Sequence, residues 1–236
     1  IVAWVIGWDV IVEYGVSVAV IAVGWGANLN AFLDITFGVA LPETLTTSLE
    51  DGGFNLPAVL IVLAITFLLV RGVKETAALN NIMVVIKLAV LGLFIVLTFT
   101  AFNADNLQPF APMGWGGGVL GGNTGVLADA AIIFFAYIGF DAVSTGSEEA
   151  KNPARDLPFA IIGSLVICTI IYILVSVGAV GALPAEQLAA TDAPLSEALE
   201  EGVGLSWAAS LTAFGALVAI TSVLLVILYG QTRIFF

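Results

Sequence analysis

The chain has 236 residues, 60% hydrophobic and 10% charged, with a formal net charge of −12, no histidine and one cysteine. Soluble domains carry about 25% charged residues, so this composition excludes an ordinary soluble domain and points to an integral membrane protein. With 6 Lys and Arg against 18 Asp and Glu, a nucleic-acid-binding surface is excluded. The lone Cys168 has no partner for an internal disulfide and reads as a small buried hydrophobe.

A helix needs roughly 20 apolar residues to cross the hydrocarbon core. In chain order, spans are expected near 2–27, 56–71, 78–101, 126–147, 159–182 and 206–233. The intervening loops alternate in sign. Asp34, Glu43, Glu50 and Asp51 follow the first span; Arg71 and Lys74 follow the second; Asp105 follows the third. Lys151 and Arg155 follow the fourth, five carboxylates from Glu186 to Glu201 follow the fifth, and Arg233 ends the sixth. Every loop Lys and Arg thus falls on one side, and the excess of positive charge assigns that side to the cytoplasm. Lys74, Lys151 and Arg233 are therefore expected inside, Glu50 and Glu200 outside, in a multi-pass protein of the cell membrane.

The glycine-rich stretch Gly114 to Gly125 lacks a following Gly-Lys-Ser/Thr and a preceding strand, so it reads as an irregular outer loop and not a phosphate loop. Leu183 to Gly204 is too polar to span; short surface helices are expected after Pro184 and after Pro194, lying across a vestibule or resting on the surface. The chain begins Ile1-Val2-Ala3-Trp4 and ends inside an apolar run, so residues 1–236 are expected to be a piece of one longer transmembrane domain.

Ionisable groups within spans are costly and need a partner or a hydrated cavity. Lys87 lies inside "AALNNIMVVIKLAVLGLFIVL", roughly 14 Å from its start; either it is a functional mid-membrane cation or the helix begins later and Lys87 nears the interface. Glu13, with Asp9 one turn before it, is the candidate partner for Lys87, or makes an unrelated contact to a neighbouring helix. Thr221 and Ser222 sit mid-span, where hydroxyls often bond their own i−4 carbonyls.

The stretch "AIIFFAYIGFDAVSTGSEEAKNPARDLP", from Ala131 to Pro158, puts Gly139 and Asp141 inside an apolar run. Gly weakens a helix interior by about 1 kcal/mol and Asp competes for backbone hydrogen bonds, so either the helix breaks or it tolerates a glycine. A break at membrane depth persists only where it lines a cavity or is buried in protein, and transporters use such breaks to bind substrate. No catalytic constellation is present. Histidine is absent, Asp129 and Asp141 lie about 18 Å apart along one helix, and Cys168 has no basic neighbour in sequence. Neither an enzyme, a cofactor nor a metal site is expected.

"FFAYIGFDAVSTGSEEAKNPARDLP", "RGVKETAALNNIMVVIKLAVLGLFI" and "TSVLLVILYGQTRIFF" together resemble the amino acid–polyamine–organocation superfamily, nearest its cationic amino acid transporter branch. The resemblance implies an all-α membrane fold of the LeuT-like type, two inverted repeats of five helices, with this chain similar to helices three to eight. The first broken helix and those after the eighth would then lie elsewhere.

It further implies a secondary active permease carrying an amino acid, with proton coupling as the expected mode. A superfamily exchanger without net proton coupling, or a non-transporting receptor of the same fold, stands as the alternative. On this resemblance Phe135, Ala136, Tyr137, Ile138, Gly139 and Asp141 fall at the unwound substrate-binding segment, with Phe135 covering the substrate. Lys87 stands where sodium-coupled relatives hold their ion, Thr221 and Ser222 match hydroxyls beside that ion site, and Glu13 matches an acidic residue near the pocket. Phenylalanine at 135 departs from the tryptophan of the arginine/agmatine exchangers. The implied partners are an amino acid, protons and the bilayer.

Overall fold

A computed structural model describes residues 2–47, 53–71, 73–111, 114–116, 125–137, 139 and 152–234. All regular structure among them is helical. The chain is an all-α, polytopic membrane protein. Its long helices are α1 (Val2–Phe37), α2 (Leu56–Arg71), α3 (Val73–Thr100), α5 (Pro153–Ala182) and α8 (Ser206–Ile234); the shorter α4 (Val126–Ile133), α6 (Ala185–Leu188) and α7 (Pro194–Glu197) complete the set. Four of these are long and apolar enough to cross a membrane, and α2 is a shorter apolar helix.

Helix ends follow local chemistry. At 36 residues, α1 is about 54 Å long, well beyond the roughly 30 Å hydrocarbon core, so its last turns, bearing Asn30 and Asp34, project out of it. It stops at Gly38, whose φ of 66° is the left-handed conformation that closes helices; Gly38 N–H donates to the Asp34 carbonyl at 2.8 Å. Asn30 Oδ1 accepts from Leu41 N–H at 2.7 Å, folding the loop back. Asn55 caps α2, its Oδ1 accepting from Ala58 N–H at 3.1 Å, the preferred side-chain cap. Pro153 opens α5, where a missing N–H costs nothing. That start lies six residues before the expected 159, because Arg155 and Asp156 are carried on the first turn.

The helices α1 and α8 pack together, antiparallel, and α3 lies against α8, α2 against α1 and α8, and α5 against α3. The register of α1 on α8 can be read at several levels. A Cβ on Gly230 would meet the Tyr14 ring at 2.9 Å. Further out, Trp25 Nε1 donates to Thr221 Oγ1 at 3.0 Å, and the Phe32 and Phe214 rings lie 5.8 Å apart. In the same sense α3 runs antiparallel to α8, with Asn80 beside Ser222 and a Cβ on Gly215 meeting Val90 at 2.6 Å. Without water between helices, close approach over small residues supplies the packing.

Two hydrophobic clusters result. One joins Tyr14, Val18, Ala22, Ile65, Met83 and Leu224. The other, toward the C-terminal ends of α1 and α3, joins Phe94, Ala179, Leu183, Leu199, Ala208 and Ala209. On α3 the gap between them runs from Met83 to Phe94, and on α8 from Ala209 to Leu224; the candidate site occupies that gap. One face of α5, carrying Phe159, Ile162, Val166, Ile170 and Ile173, is exposed, as expected of a lipid-facing stripe.

The expected short helices after Pro184 and Pro194 are present as α6 and α7, followed by a wide π turn over Ala198–Gly202. Within the expected span 126–147, α4 ends at Ile133, a 3₁₀ turn covers Phe134–Tyr137, and Gly139 has φ 114°. Asp141 and the rest of that span lie outside the described residues.

Candidate functional site

Lys87 sits at the middle of α3, and the register above sets its neighbours. It lines a cavity of about 330 Å³ with Asn28 of α1, Val90 and Leu91 of α3, and Thr212, Ala216 and Ala219 of α8, roofed by Ala193, Pro194 and Leu195. No carboxylate lines this cavity among the described residues. An ammonium at such a depth needs polar partners or water, and the helix start at Val73 places Lys87 deeper than a start near Asn81 would.

Thr221 and Ser222 directly follow Ala219 and Ile220 of the cavity wall on α8. Thr221 Oγ1 donates to its own Leu217 carbonyl at 2.7 Å, as mid-helix hydroxyls often do, and accepts from Trp25. Ser222 is buried and its Oγ donates to Asn80 Oδ1 at 2.6 Å. Both hydroxyls thus join α8 to the helix facing it, one turn or so from Lys87.

Glu13 is half-buried on α1, next to Tyr14. The structure does not bring it to the Lys87 cavity: the α1 residue there is Asn28, fifteen positions on, about 22 Å along the axis. In the register of α1 on α8, Glu13 is level with the last turns of α8.

The broken segment is held by α5. Tyr172 Oη donates to the Ala136 carbonyl at 3.1 Å, and the Tyr137 and Thr169 hydroxyls are 3.2 Å apart. The Tyr137 and Tyr172 rings meet edge to face with centroids 5.5 Å apart. Gly139, at φ 114°, carries a backbone conformation that side chains resist, and a Cβ there would meet no atom of the described residues within 4 Å. Of the segment's expected site residues, Ala136, Tyr137 and Gly139 are placed at this break. Phe135 lies in the 3₁₀ turn, while its side chain, Ile138 and Asp141 lie outside the described residues.

A second, larger hollow of about 780 Å³ opens between the C-terminal end of α1 and the α6–α7 region. It is lined by Asp34, Asp192, Glu197 and Glu200 together with Asn30, Thr46, Thr47 and Ser196. Burial raises the Glu200 carboxyl above its ordinary range, and the neighbouring charges of Glu197, Glu201 and Asp34 add to it. Ala193 lines both hollows.

Sequence reasoning did not single out Asn28, Asn80, Thr169, Tyr172 or Thr212. Thr169, Tyr172 and Thr212 sit in largely apolar runs, while Asn28 and Asn80 stand close to Asn30 and Asn81; for all five, only the helix register shows what they face.

The model of the amino acid permease family matches residues 1–236. A branched-chain amino acid permease of Bacillus subtilis (strain 168) is 46% identical over 99% of this chain and 49% of its own length. A methylthioribose transporter of the same organism is 40% identical, again over 99% of this chain and 49% of its own length. Cationic amino acid transporter 1 of Arabidopsis thaliana is 36% identical over 98% of this chain and 37% of its own. The chain thus spans about half or less of the length of these relatives. With the match running end to end, the chain belongs to the amino acid permease family, within the amino acid–polyamine–organocation superfamily.

Proposed function

We propose that this chain forms part of a secondary active permease that carries an amino acid into the cell together with a proton. It is a transporter and not an enzyme. The observation that carries the reading is Lys87: a cation at the middle of α3, in a stretch long and apolar enough to cross a membrane, and in a cavity whose described walls hold no carboxylate. A group so placed is a functional candidate by default, and an amine that gives up its proton on one side and regains it on the other couples proton movement to the transport cycle.

The break at Ile133 to Gly139 supports the substrate half of the reading. An intact helix commits each carbonyl to the amide four residues on; an interrupted one leaves carbonyls to accept from a substrate ammonium. On this reading Phe135, Ala136, Tyr137, Ile138, Gly139 and Asp141 belong to the substrate-binding segment, Ile138 and Asp141 lying outside the described residues. Thr221 and Ser222 brace the wall beside Lys87. In a LeuT-like arrangement of inverted repeats, the remaining half of the pocket comes from helices beyond this chain. The relatives' stated cargoes are branched-chain amino acids, cationic amino acids and methylthioribose, which supports a shared backbone site with side-chain pockets that differ. The Lys and Arg loops are cytoplasmic in this reading.

The test is uptake of radiolabelled amino acids by the full-length protein in proteoliposomes. Accumulation driven by an inward proton gradient and lost with a protonophore is expected. Exchange without such accumulation would instead identify an antiporter.

A further inference from the structure

Thr169 and Tyr172 of α5 are three residues apart, so they share one face of that helix. Both reach the interrupted segment, at consecutive residues. Tyr172 Oη donates to the Ala136 carbonyl at 3.1 Å, and the Tyr137 and Thr169 hydroxyls lie 3.2 Å apart. These contacts bracket a single peptide unit, the one that joins Ala136 to Tyr137. Its carbonyl end is bonded to α5 directly. Its amide end belongs to Tyr137, whose ring meets the Tyr172 ring edge to face at 5.5 Å and stacks on Phe134 at 6.3 Å. Aromatic pairs at such separations add to packing beyond the area they bury.

The two sides of this contact differ in stiffness. α5 is a continuous helix from Pro153 to Ala182, and it is itself fastened. Nine residues beyond Tyr172, the Gly181 carbonyl accepts from Asn103 N–H at 2.9 Å and from Asn106 Nδ2 at 3.1 Å, while α5 packs against α3. The segment it holds is a 3₁₀ turn over Phe134–Tyr137, followed by Gly139 at φ 114°. Such turns have poorer hydrogen-bond geometry than an α-helix. Unusual backbone of this kind persists where its surroundings over-determine it.

A carbonyl oxygen has two lone pairs, and donors prefer to lie near its plane. Tyr172 takes one lone pair of the Ala136 oxygen and thereby fixes how that peptide unit is turned. Thr169 fixes the next side chain. An acceptor oriented before its ligand arrives spares the ligand the cost of ordering it.

We propose that Tyr172 and Thr169 are positioning residues of the substrate site: from α5 they orient the Ala136–Tyr137 peptide, and with it the carbonyls of the turn, toward the ammonium of an amino acid substrate. The proposal deepens the permease reading above and rests on it. Neither side chain touches the substrate in this role; each acts through the backbone of the turn. The carbonyls read the ammonium and not the substrate's side chain. Loss of either hydroxyl therefore weakens different amino acids alike, and leaves a ligand without the amine untouched.

The experiment uses the full-length protein in proteoliposomes and follows exchange at equal pH. The probes are radiolabelled L-leucine and L-arginine, with isocaproate, which is leucine without its amine, as a competitor. Tyr172→Phe keeps the ring and removes the donor. Thr169→Val keeps the shape and removes the hydroxyl, and Thr169→Ser restores it. Tyr172→Phe and Thr169→Val are each expected to raise KM about five- to tenfold, the worth of one hydrogen bond. The factor should be the same for each amino acid the parent carries, with the maximal rate and the inhibition by isocaproate within about twofold of the parent. Thr169→Ser should behave as the parent, and melting curves in detergent should be close to parental throughout. Parental KM in either Tyr172→Phe or Thr169→Val would overturn the proposal. So would equal weakening of leucine and isocaproate, which marks a packing role. Should Tyr172→Phe fail to fold, the Thr169→Val and Thr169→Ser pair decides by the same criteria. A parent that exchanges neither amino acid would overturn the amino acid permease reading itself, before any variant is compared.

Discussion

Ser222 Oγ donates to Asn80 Oδ1 across the α3–α8 interface at 2.6 Å, with Ser222 2% exposed. Ser17 on α1 is as deeply buried, at 1%, yet its Oγ has no partner among the described residues. The same substitution should therefore act with opposite sign at the two sites. Ser222→Ala strands the Asn80 amide oxygen and should destabilise by about 1–2 kcal/mol. Ser17→Ala removes an unsatisfied group and gains helix propensity, and should be neutral or stabilising by up to about 1 kcal/mol. Thermal unfolding of the two variants in detergent measures the difference, and equal losses would refute the assignment.

Lys87→Ala in the full-length protein should abolish pH-driven accumulation, at least a hundredfold below the parent, while exchange persists. Paired uptake and counterflow assays check this. Normal accumulation in the variant would remove Lys87 from the coupling step.

Gly139→Leu should weaken substrate binding by tenfold or more and leave expression and folding near the parent. Its φ of 114° is unavailable to leucine without strain of about 1–3 kcal/mol. A binding titration alongside a melting curve separates the two effects. A larger loss of stability than of affinity would make the glycine a folding device.

The raised carboxyl of Glu200 sets a pH dependence. A folded-state value above the ordinary 4.5 means the folded protein holds that proton more tightly than the unfolded chain. Its stabilising contribution is complete below the ordinary value and is lost as pH rises through the raised one. Glu200→Gln should therefore flatten the fall in melting temperature between acid and neutral pH. Solvent screening keeps the change to within about 0.5 kcal/mol. Melts across that window at low and high salt test it, since added salt should shrink the parent's dependence.

Topology is tested by cysteine labelling in intact cells. Arg71 and Arg155, both exposed, should be reachable only from the cytoplasm when replaced by cysteine, and Glu186 and Asp192 only from outside. Labelling at position 155 from outside would invert the assignment.

The amino-acid sequence alone makes the spans legible where an apolar run meets an abrupt polar stop, as at Leu56–Arg71 and before Pro184. It does not show that α1 continues to Phe37, because Asn28, Asn30 and Asp34 look like a loop; helical geometry tolerates them once they leave the hydrocarbon. Lys87 and the break near Gly139 stand out because a charge and a glycine are expensive at that depth. Asn28 and Thr212 do not, since a single hydroxyl or amide in an apolar helix costs little until its neighbours are known. The level of Glu13 is illegible for the same reason: it depends on how far α1 is offset against α8, a three-dimensional quantity with no local signal.

The ties between α1 and α8, from Tyr14–Gly230 through Trp25–Thr221 to Phe32–Phe214, extend over about 27 Å. An interface pinned at both ends and in the centre can neither slide nor shear without losing all three. On the proposed transport reading the two helices are expected to travel as one strut, and α3, whose Asn80 accepts from Ser222 of α8, to travel with them. Spin-label distances from α1 to α8 should stay constant between substrate-free and substrate-bound protein, while those from α4 to α8 change. On that reading the hinge is expected in the short turn at Phe134–Tyr137, with the long helices as the fixed post it swings against.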